Sequence, residues 1–451
     1  MEAILGDTQV GIENVPDIIF EKIIRLLDAR SVLIAKQVSH VWKKIIEHLE
    51  HREKKPLWRH ICLRDIHRAS LIDIIGFNPY KQEVSGGDEG DLWKNVYKSW
   101  KTGQTLSFHK QKSHKLTGVK ISDGYTSVMQ IGTYTYILTH HDVMLSVWNV
   151  NTSHKVLHSQ SLKDKLLPSN PHWNQMYPYV HNPLCKFSEH QDLSQLSLII
   201  PAVDGYIQWW AFSNGGFGLK NNLKVEYEYV RVWHNLLVIA YEGCIQVFIL
   251  EREEGEFNFR SRSTSNELRE DLDWSSMYVW DNRCLFGVNS TPSFVIYDLD
   301  DFQSKVLQVV AEPTASLLGP RIFGDFILYI INEACIRRLY AFNTETGEQF
   351  PVKVNEADVS AYTLHGDLLI ALQPVLGEVN ICRINSSGHK NPVWCTQDMM
   401  EDGVNDLVVP KIFHSNKLFV GDHLISYGKG VVFFIRKYNV KEYIVKHYEI
   451  D

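Results

Sequence analysis

The chain has 451 residues, 44% hydrophobic and 22% charged, a globular composition that excludes a disordered or collagen-like chain. Its length exceeds one ordinary core, so two or three domains are expected, or a small domain beside a large closed architecture. A net charge of −7 supplies no electrostatic drive towards nucleic acid, and no apolar run reaches the ~18–20 residues of a membrane-spanning helix.

Met1 to Asn14 carries Glu2, Asp7 and Glu13 and lacks the basic and apolar segments of a secretory signal, so a cytoplasmic or nuclear location is expected. None of the seven cysteines has another within four residues, which removes zinc-type pairs and redox CxxC motifs. No metal and no cofactor is expected.

The first hundred residues read as helix. Asn14-Val15-Pro16-Asp17 has a capping residue, a proline suited to a first turn and an acid beside the helix dipole. In the helix that follows, Ile19, Phe20, Ile23, Ile24, Leu26 and Leu27 span about 160°, wider than a helix with one buried face needs. Two neighbouring surfaces must therefore be covered. Asp28-Ala29-Arg30-Ser31 breaks this helix and caps a second, Val32 to Gln37; Ser39 caps a third, from His40 towards Glu50. Two shorter helical turns led by Leu57-Trp58 and Leu92-Trp93 follow.

These residues carry a resemblance. Val15-Pro16, Leu27-Asp28, Val32-Leu33, Gln37-Val38-Ser39 and Val41-Trp42-Lys43-Lys44 are similar to the F-box over residues 12–62, and Leu57-Trp58 with Trp93 to Tyr97 resembles the tail that often follows it, a looser match reaching Trp100. Ile18 and Ala29 depart from the family, which often has an acid and a proline there. The resemblance implies docking onto a Skp-type adaptor and, through it, a cullin–RING ubiquitin ligase. The positions matching the adaptor-contacting pattern are Val15, Pro16, Ile19, Ile23, Leu27, Leu33, Val38 and Trp42, some of them expected to be internal core. Residues 63–115 are expected as a helical linker. The nine Lys and Arg between Lys36 and Arg68 read as solvated helix faces or as a match to an acidic adaptor, before nucleic acid.

From about residue 120 the apolar period changes from 3.6 to 2. One unit recurs: an apolar residue, an aromatic or His, a spacer, Asn or Asp, then two apolar strands. It stands at Val232-Trp233-His234-Asn235, Val279-Trp280-Asp281-Asn282, Ile322-Phe323-Gly324-Asp325 and Leu364-His365-Gly366-Asp367, with a looser copy at Ile412-Phe413-His414-Ser415. Ile131 opens an earlier unit, and Leu196–Ile200 with Ile207–Phe212 supplies a hidden one. Steps of 42 to 48 residues indicate four-stranded blades and a seven-bladed β-propeller over residues 116–451; a β-sandwich pair or two smaller barrels is the alternative. The units resemble degenerate WD repeats at Val147-Trp148-Asn149, Ile296-Tyr297-Asp298 and Ala341-Phe342-Asn343, without the Gly-His dipeptide that opens such repeats.

The fold class is thus a small N-terminal helical F-box module followed by an all-β propeller. No HExxH, P-loop, GxSxG or GxGxxG motif occurs, so the chain reads as a non-catalytic adaptor subunit. Residues 159–193 form an irregular insertion whose four prolines forbid regular strand; its Trp173, Tyr177 and Tyr179 are candidate substrate-binding anchors, or pack on the chain's own ring. Glu251 to Asp273 reads as a solvated loop. Where Arg231, Arg283, Arg321, Arg337 and Arg338 point decides whether the ring can read a phosphate on its target. The function implied is that of a substrate receptor in a Skp–cullin–F-box ligase, with an unknown protein substrate and no membrane or nucleic-acid partner. The alternatives are a scaffold outside ubiquitination and a propeller enzyme with a helical cap.

Overall fold

The computed structural model describes residues 16–52, 56–81, 89–104, 108–116, 126–131, 134–141, 144–149, 156–161, 177–181, 193–202, 205–253, 255–312, 315–333, 336–352, 361–365, 368–373, 378–385, 393–395, 431–438 and 442–450, with 184, 187 and 359. Between 108 and 161, and after 360 apart from Tyr362 and Leu369, it describes the backbone only.

Among the described residues six helices come first: α1 (Asp17–Leu26), α2 (Ala29–Val38), α3 (His40–Glu50), α4 (Leu57–Asp65), α5 (Arg68–Ile75) and α6 (Glu89–Gln104). The chain divides into two compact units, one of Met1–His67 with Ser85–Lys98, the other of Arg68–Val84 with Ser99–Asp451. The first unit thus holds α1 to α4 and most of α6.

Local chemistry sets the helix ends. The Pro16 carbonyl accepts from the Ile19 and Phe20 amides at 2.8 and 3.1 Å, and the fixed proline φ suits a helix start. Asn14, the expected capping residue, lies outside the described residues. Asp28 caps α2 through the Ser31 amide at 2.8 Å, and the Ser39 hydroxyl caps α3 through that of Trp42 at 3.2 Å. At the other end of α1 the Arg64 fork donates to the Arg25 and Leu27 carbonyls at 2.9 and 3.0 Å, satisfying groups that a helix C-terminus leaves unpaired.

The second unit is built of antiparallel sheets. Among the described residues six have four strands, each sheet in sequence order. They comprise β2–β5 (Thr126–Ile131, Tyr134–His141, Met144–Asn149, Val156–Ser161) and β6–β9 (Tyr177–Val180, Leu196–Ala202, Tyr206–Ser213, Gly216–Lys224). Next come β10–β13 (Tyr229–Trp233, Leu236–Tyr241, Cys244–Glu253, Glu256–Thr264) and β14–β17 (Leu272–Trp280, Arg283–Val288, Ser293–Asp298, Ser304–Gln308). The last two are β18–β21 (Ser316–Phe323, Phe326–Glu333, Ile336–Asn343, Gln349–Pro351) and β22–β25 (Ala361–His365, Leu368–Gln373, Glu378–Asn385, Val393–Cys395). A three-stranded sheet joins Phe108–Leu116 (β1), the first strand of the chain, to Val431–Tyr438 (β26) and Glu442–Ile450 (β27), in the order β1-β27-β26.

From β6–β9 to β22–β25, successive sheets stack face to face, the arrangement of propeller blades. In β11, Leu237 and Ile239 join a cluster with Ile199, Ile207 and Trp209 of the preceding sheet, while Leu236, Val238 and Ala240 join Val279, Phe286 and Val295 of the following one. Alternate residues of a strand point to opposite faces, so a strand between two neighbours must be apolar at every position, as Leu236–Ala240 is.

The recurring sequence unit has a structural cause. His234-Asn235, Asp281-Asn282 and Gly324-Asp325 are two-residue turns between the first and second strands of their sheets, and the first residue of each has positive φ: 49°, 54° and 60°. The second residue's carbonyl accepts a backbone hydrogen bond from Leu250, Leu299 or Thr344 respectively, tying the turn to the third strand or to the residue just past it. The copy at Ile412 lies outside the described residues.

Three expectations are corrected. Residues 63–115 are not helical throughout, since β1 begins at Phe108. Pro178 lies inside β6, an end strand of its sheet, where the missing amide costs no ladder bond. Glu251–Thr264 belongs largely to the hairpin β12–β13, in which Phe257 and Phe259 alternate with charged residues and turn towards Trp209.

Candidate docking surface

The apolar arc of α1 divides in two. Phe20 and Ile24 are buried, at 4% and 0% exposure; Ile19, Ile23 and Leu26, within about 60° of one another on the helical wheel, are 48%, 44% and 81% exposed. Leu27, on the boundary, is half-buried. Phe20 meets the half-buried Trp42 edge-on, ring centroids 4.7 Å apart, fixing α1 to α3. On α2, Val32 and Ala35 are buried while Leu33, Ile34 and Val38 are exposed, and Val41 of α3 is exposed as well. Of the adaptor-contacting candidates, Pro16, Ile19, Ile23, Leu33 and Val38 therefore face solvent, Leu27 and Trp42 are partly buried, and Val15 lies outside the described residues. Pattern-matching missed Ile18, Leu26, Ile34 and Val41, all exposed apolar side chains on the same three helices.

A buried carboxylate holds these helices. Glu50, its side chain 4% exposed, accepts from Lys36 Nζ of α2 at 2.8 Å and from Trp58 Nε1 of α4 at 3.0 Å, with Lys94 Nζ of α6 at 3.8 Å. Burial opposes its charged form, but the hydrogen bonds from Lys36 and Trp58 and the charge of Lys94 outweigh this and keep the carboxyl below its ordinary value. Glu50→Gln keeps an acceptor for Trp58, removes the counter-charge beside Lys94 and leaves Lys36 only the longer ion pair with Glu47 at 3.7 Å. It is expected to cost the first unit about 1–3 kcal/mol, measured by hydrogen exchange of residues 29–65 under denaturant. Because the folded pKa is lowered, the Glu50 contribution is present above the unfolded carboxylate range and is lost as pH falls through the folded value. The Gln variant should lack that part of the acid dependence. Arg52 is likewise committed, donating to Glu21 at 2.7 Å, so several bases of the 36–68 cluster serve internal pairs.

In the second unit, Tyr177 and Tyr179 serve the sheets. Tyr179 is 6% exposed, set edge-on against Trp209 and against His181, which itself stacks on Trp209 at 5.7 Å. Burial holds the His181 imidazole down to about 3, so this cluster stays uncharged. The Tyr177 hydroxyl donates to the Val230 carbonyl of the next sheet and accepts from Arg231 Nη1 at 3.2 Å. Trp173 lies outside the described residues. The two tyrosines thus read as inter-sheet packing, the alternative their sequence context left open. Arg231 spends its other donors on the Met277, Val230 and Ser275 carbonyls, and Arg283 donates to the Gly324 carbonyl at 2.6 Å with its guanidinium 5.2 Å from the Trp280 ring centroid. These two arginines staple sheets together.

The expected helical linker contains α5, but the sequence does not show what α5 and the turn that follows it pack against. This segment lies on the first-to-second strand turns of three successive sheets. Ala69 and Ile72 are buried with Trp280, Phe323 and Phe326; the Phe77 ring is 5.5 Å from that of His234; Asn78 Nδ2 donates to Asp281 at 2.8 Å. One end of the sheet stack is thereby covered by the chain itself. The signal was an apolar run, Leu71-Ile72-Asp73-Ile74-Ile75, closed by Gly76 at φ 79°.

No family model matches this chain, and no curated protein matches it. Among solved structures it is similar to Hsv2 of Kluyveromyces marxianus, at 12% identity over 55% of this chain and 72% of that one, with a TM-score of 0.34. It is also similar to Hsv2 of Kluyveromyces lactis, at 8% identity over 72% of this chain and 100% of that one, with a TM-score of 0.39.

Proposed function

We propose that the chain is a substrate-recognition subunit of a Skp–cullin–F-box ubiquitin ligase, with the helical unit as an F-box and the sheets as a seven-bladed propeller. The observation that carries this reading is the apolar surface on α1 and α2: Ile19, Ile23, Leu26, Leu33, Ile34 and Val38 are all at least 44% exposed, while Phe20, Ile24, Val32 and Ala35 of the same helices are buried. Large apolar side chains left exposed on two consecutive helices are the residue type of a protein-binding patch, and the sequence resemblance supplies the partner, a Skp-type adaptor. The blade count is supported by six four-stranded sheets and a further sheet in which β1 pairs with the C-terminal strands.

In this reading the chain makes and breaks no bonds. It holds a target protein beside the ubiquitin-loaded enzyme and raises the effective concentration of the target's lysines. We assign target binding to the end of the stack opposite α5, where the second-to-third strand turns such as Glu242-Gly243 are free of that segment. The setting is the cytoplasm or nucleus, where such ligases act.

Affinity purification of the full chain tests the reading. Recovery of a Skp-type adaptor together with a cullin is the expected result. Adaptor without cullin would instead indicate a scaffold outside ubiquitination, and recovery of neither would overturn the proposal.

A further inference from the structure

We infer that α6 is the latch of the docking unit, a positioning element outside the F-box-like stretch whose seating on α3 and α4 keeps the apolar strip assembled. This rests on the adaptor-docking reading above. The F-box-like stretch ends near residue 62, yet the compact unit takes in Ser85–Lys98 as well. Four residues of α6 explain why. Gly90 lies so close to the end of α3 that a Cβ there would stand 2.0 Å from the Glu50 carbonyl oxygen, a separation that side chains do not tolerate. Trp93 is fully buried, and its carbonyl accepts from the Cys62 thiol of α4 at 3.4 Å. Lys94 brings its charge to Glu50 and lies 5.8 Å from the centroid of the Trp58 ring, while the Tyr97 hydroxyl reaches Asp65 at 3.4 Å.

Glu50 is where α2, α3, α4 and α6 meet. Neither Gly90 nor Lys94 belongs to the exposed strip, but the strip's own helices are registered through the two helices α6 sits on: α2 through Lys36 on Glu50 of α3, α1 through the Arg64 fork of α4. Adaptor binding and α6 seating are then linked equilibria. Whatever lifts α6 weakens adaptor binding, and by reciprocity a bound adaptor must hold α6 down.

Cys62 reports the seating. It is fully buried beneath α6, and it is free, as is Cys284, which is fully buried in the sheets of the other unit. The experiment follows alkylation of both thiols in the full chain by peptide mass spectrometry, with and without a purified Skp-type adaptor, and measures adaptor affinity. Gly90→Val is expected to weaken adaptor binding at least tenfold and to accelerate Cys62 alkylation at least tenfold, with Cys284 unchanged. Lys94→Glu, a milder change that places a like charge beside Glu50, should shift both readouts in the same direction by less, and Lys94→Arg should restore them. In the unmodified chain, saturating adaptor should slow Cys62 alkylation by more than it slows hydrogen exchange in the α2 and α3 cores, since a helix that merely adds stability would show only the common slowing of the whole unit.

Unchanged adaptor affinity in the Gly90→Val chain, or Cys62 alkylation indifferent to adaptor, would overturn the inference. Failure of the unmodified chain to bind adaptor would sink the ligase reading and the linkage with it. Cys62 alkylation in the Gly90→Val chain then decides separately whether α6 holds the helices at all, an unchanged rate refuting the latch on its own.

Discussion

A chain carrying Ile23→Asp and Leu26→Asp is expected to lose adaptor binding by about a hundredfold or more while keeping the fold of both units. The two positions are 44% and 81% exposed, so an aspartate at either keeps its hydration in the free chain and leaves no cavity. In a complex each carboxylate would be stripped of water against an apolar partner surface with no counter-charge, which costs a few kcal/mol per site; central interface residues reach ~2 kcal/mol or more on truncation alone. The matched control is Phe20→Asp, one turn away and 4% exposed, which should unfold the unit because the charge enters the contact with Trp42. The measurements are adaptor affinity by interferometry and helix content by circular dichroism. Retained affinity in the double variant would remove the strip from the docking surface.

What could be read ahead of the structure followed the range of the interactions. Helix starts at Asp28 and Ser39 were legible because a cap is made within three residues of the capping side chain. The strand-turn-strand units were legible because the two-residue turn, the positive φ of its first residue and the flanking apolar alternation all lie within one hairpin. The division of α1 was not, since Ile19 and Ile24 are chemically alike and only their neighbours decide that one is exposed and the other buried. Glu50 was opaque for the same reason. An acid at the end of an amphipathic helix reads as solvated, and its burial becomes apparent only when Lys36, Trp58 and Lys94 arrive from three other helices. Strand β13 reads as loop because the charges of Glu256, Arg260 and Arg262 mask the alternation of Phe257 and Phe259.

Gly324→Val is expected to destabilise the second unit by about 3 kcal/mol or more and to release α5 from the turn end of the sheets. Two separate penalties act there. Gly324 has φ 60°, the left-handed region, which costs a residue with a Cβ roughly 1–2 kcal/mol and is worst for a β-branched one. A Cβ at this position would also stand 2.8 Å from the Ala69 Cβ of α5, closer than two carbons approach. The alanine variants separate the penalties. Gly324→Ala carries both; Gly324→Ala with Ala69→Gly keeps the backbone strain, relieves the contact and adds about 1 kcal/mol for glycine in a helix. Their double-mutant cycle isolates the contact, and a coupling energy of about 1 kcal/mol or more is expected from groups this close. Denaturant melts give the energies, and hydrogen exchange across residues 68–76 reports α5. Additive effects, with α5 equally protected in every variant, would mean that the turn and the helix yield to one another without cost, and that α5 is held by Ile72 and Asn78 instead.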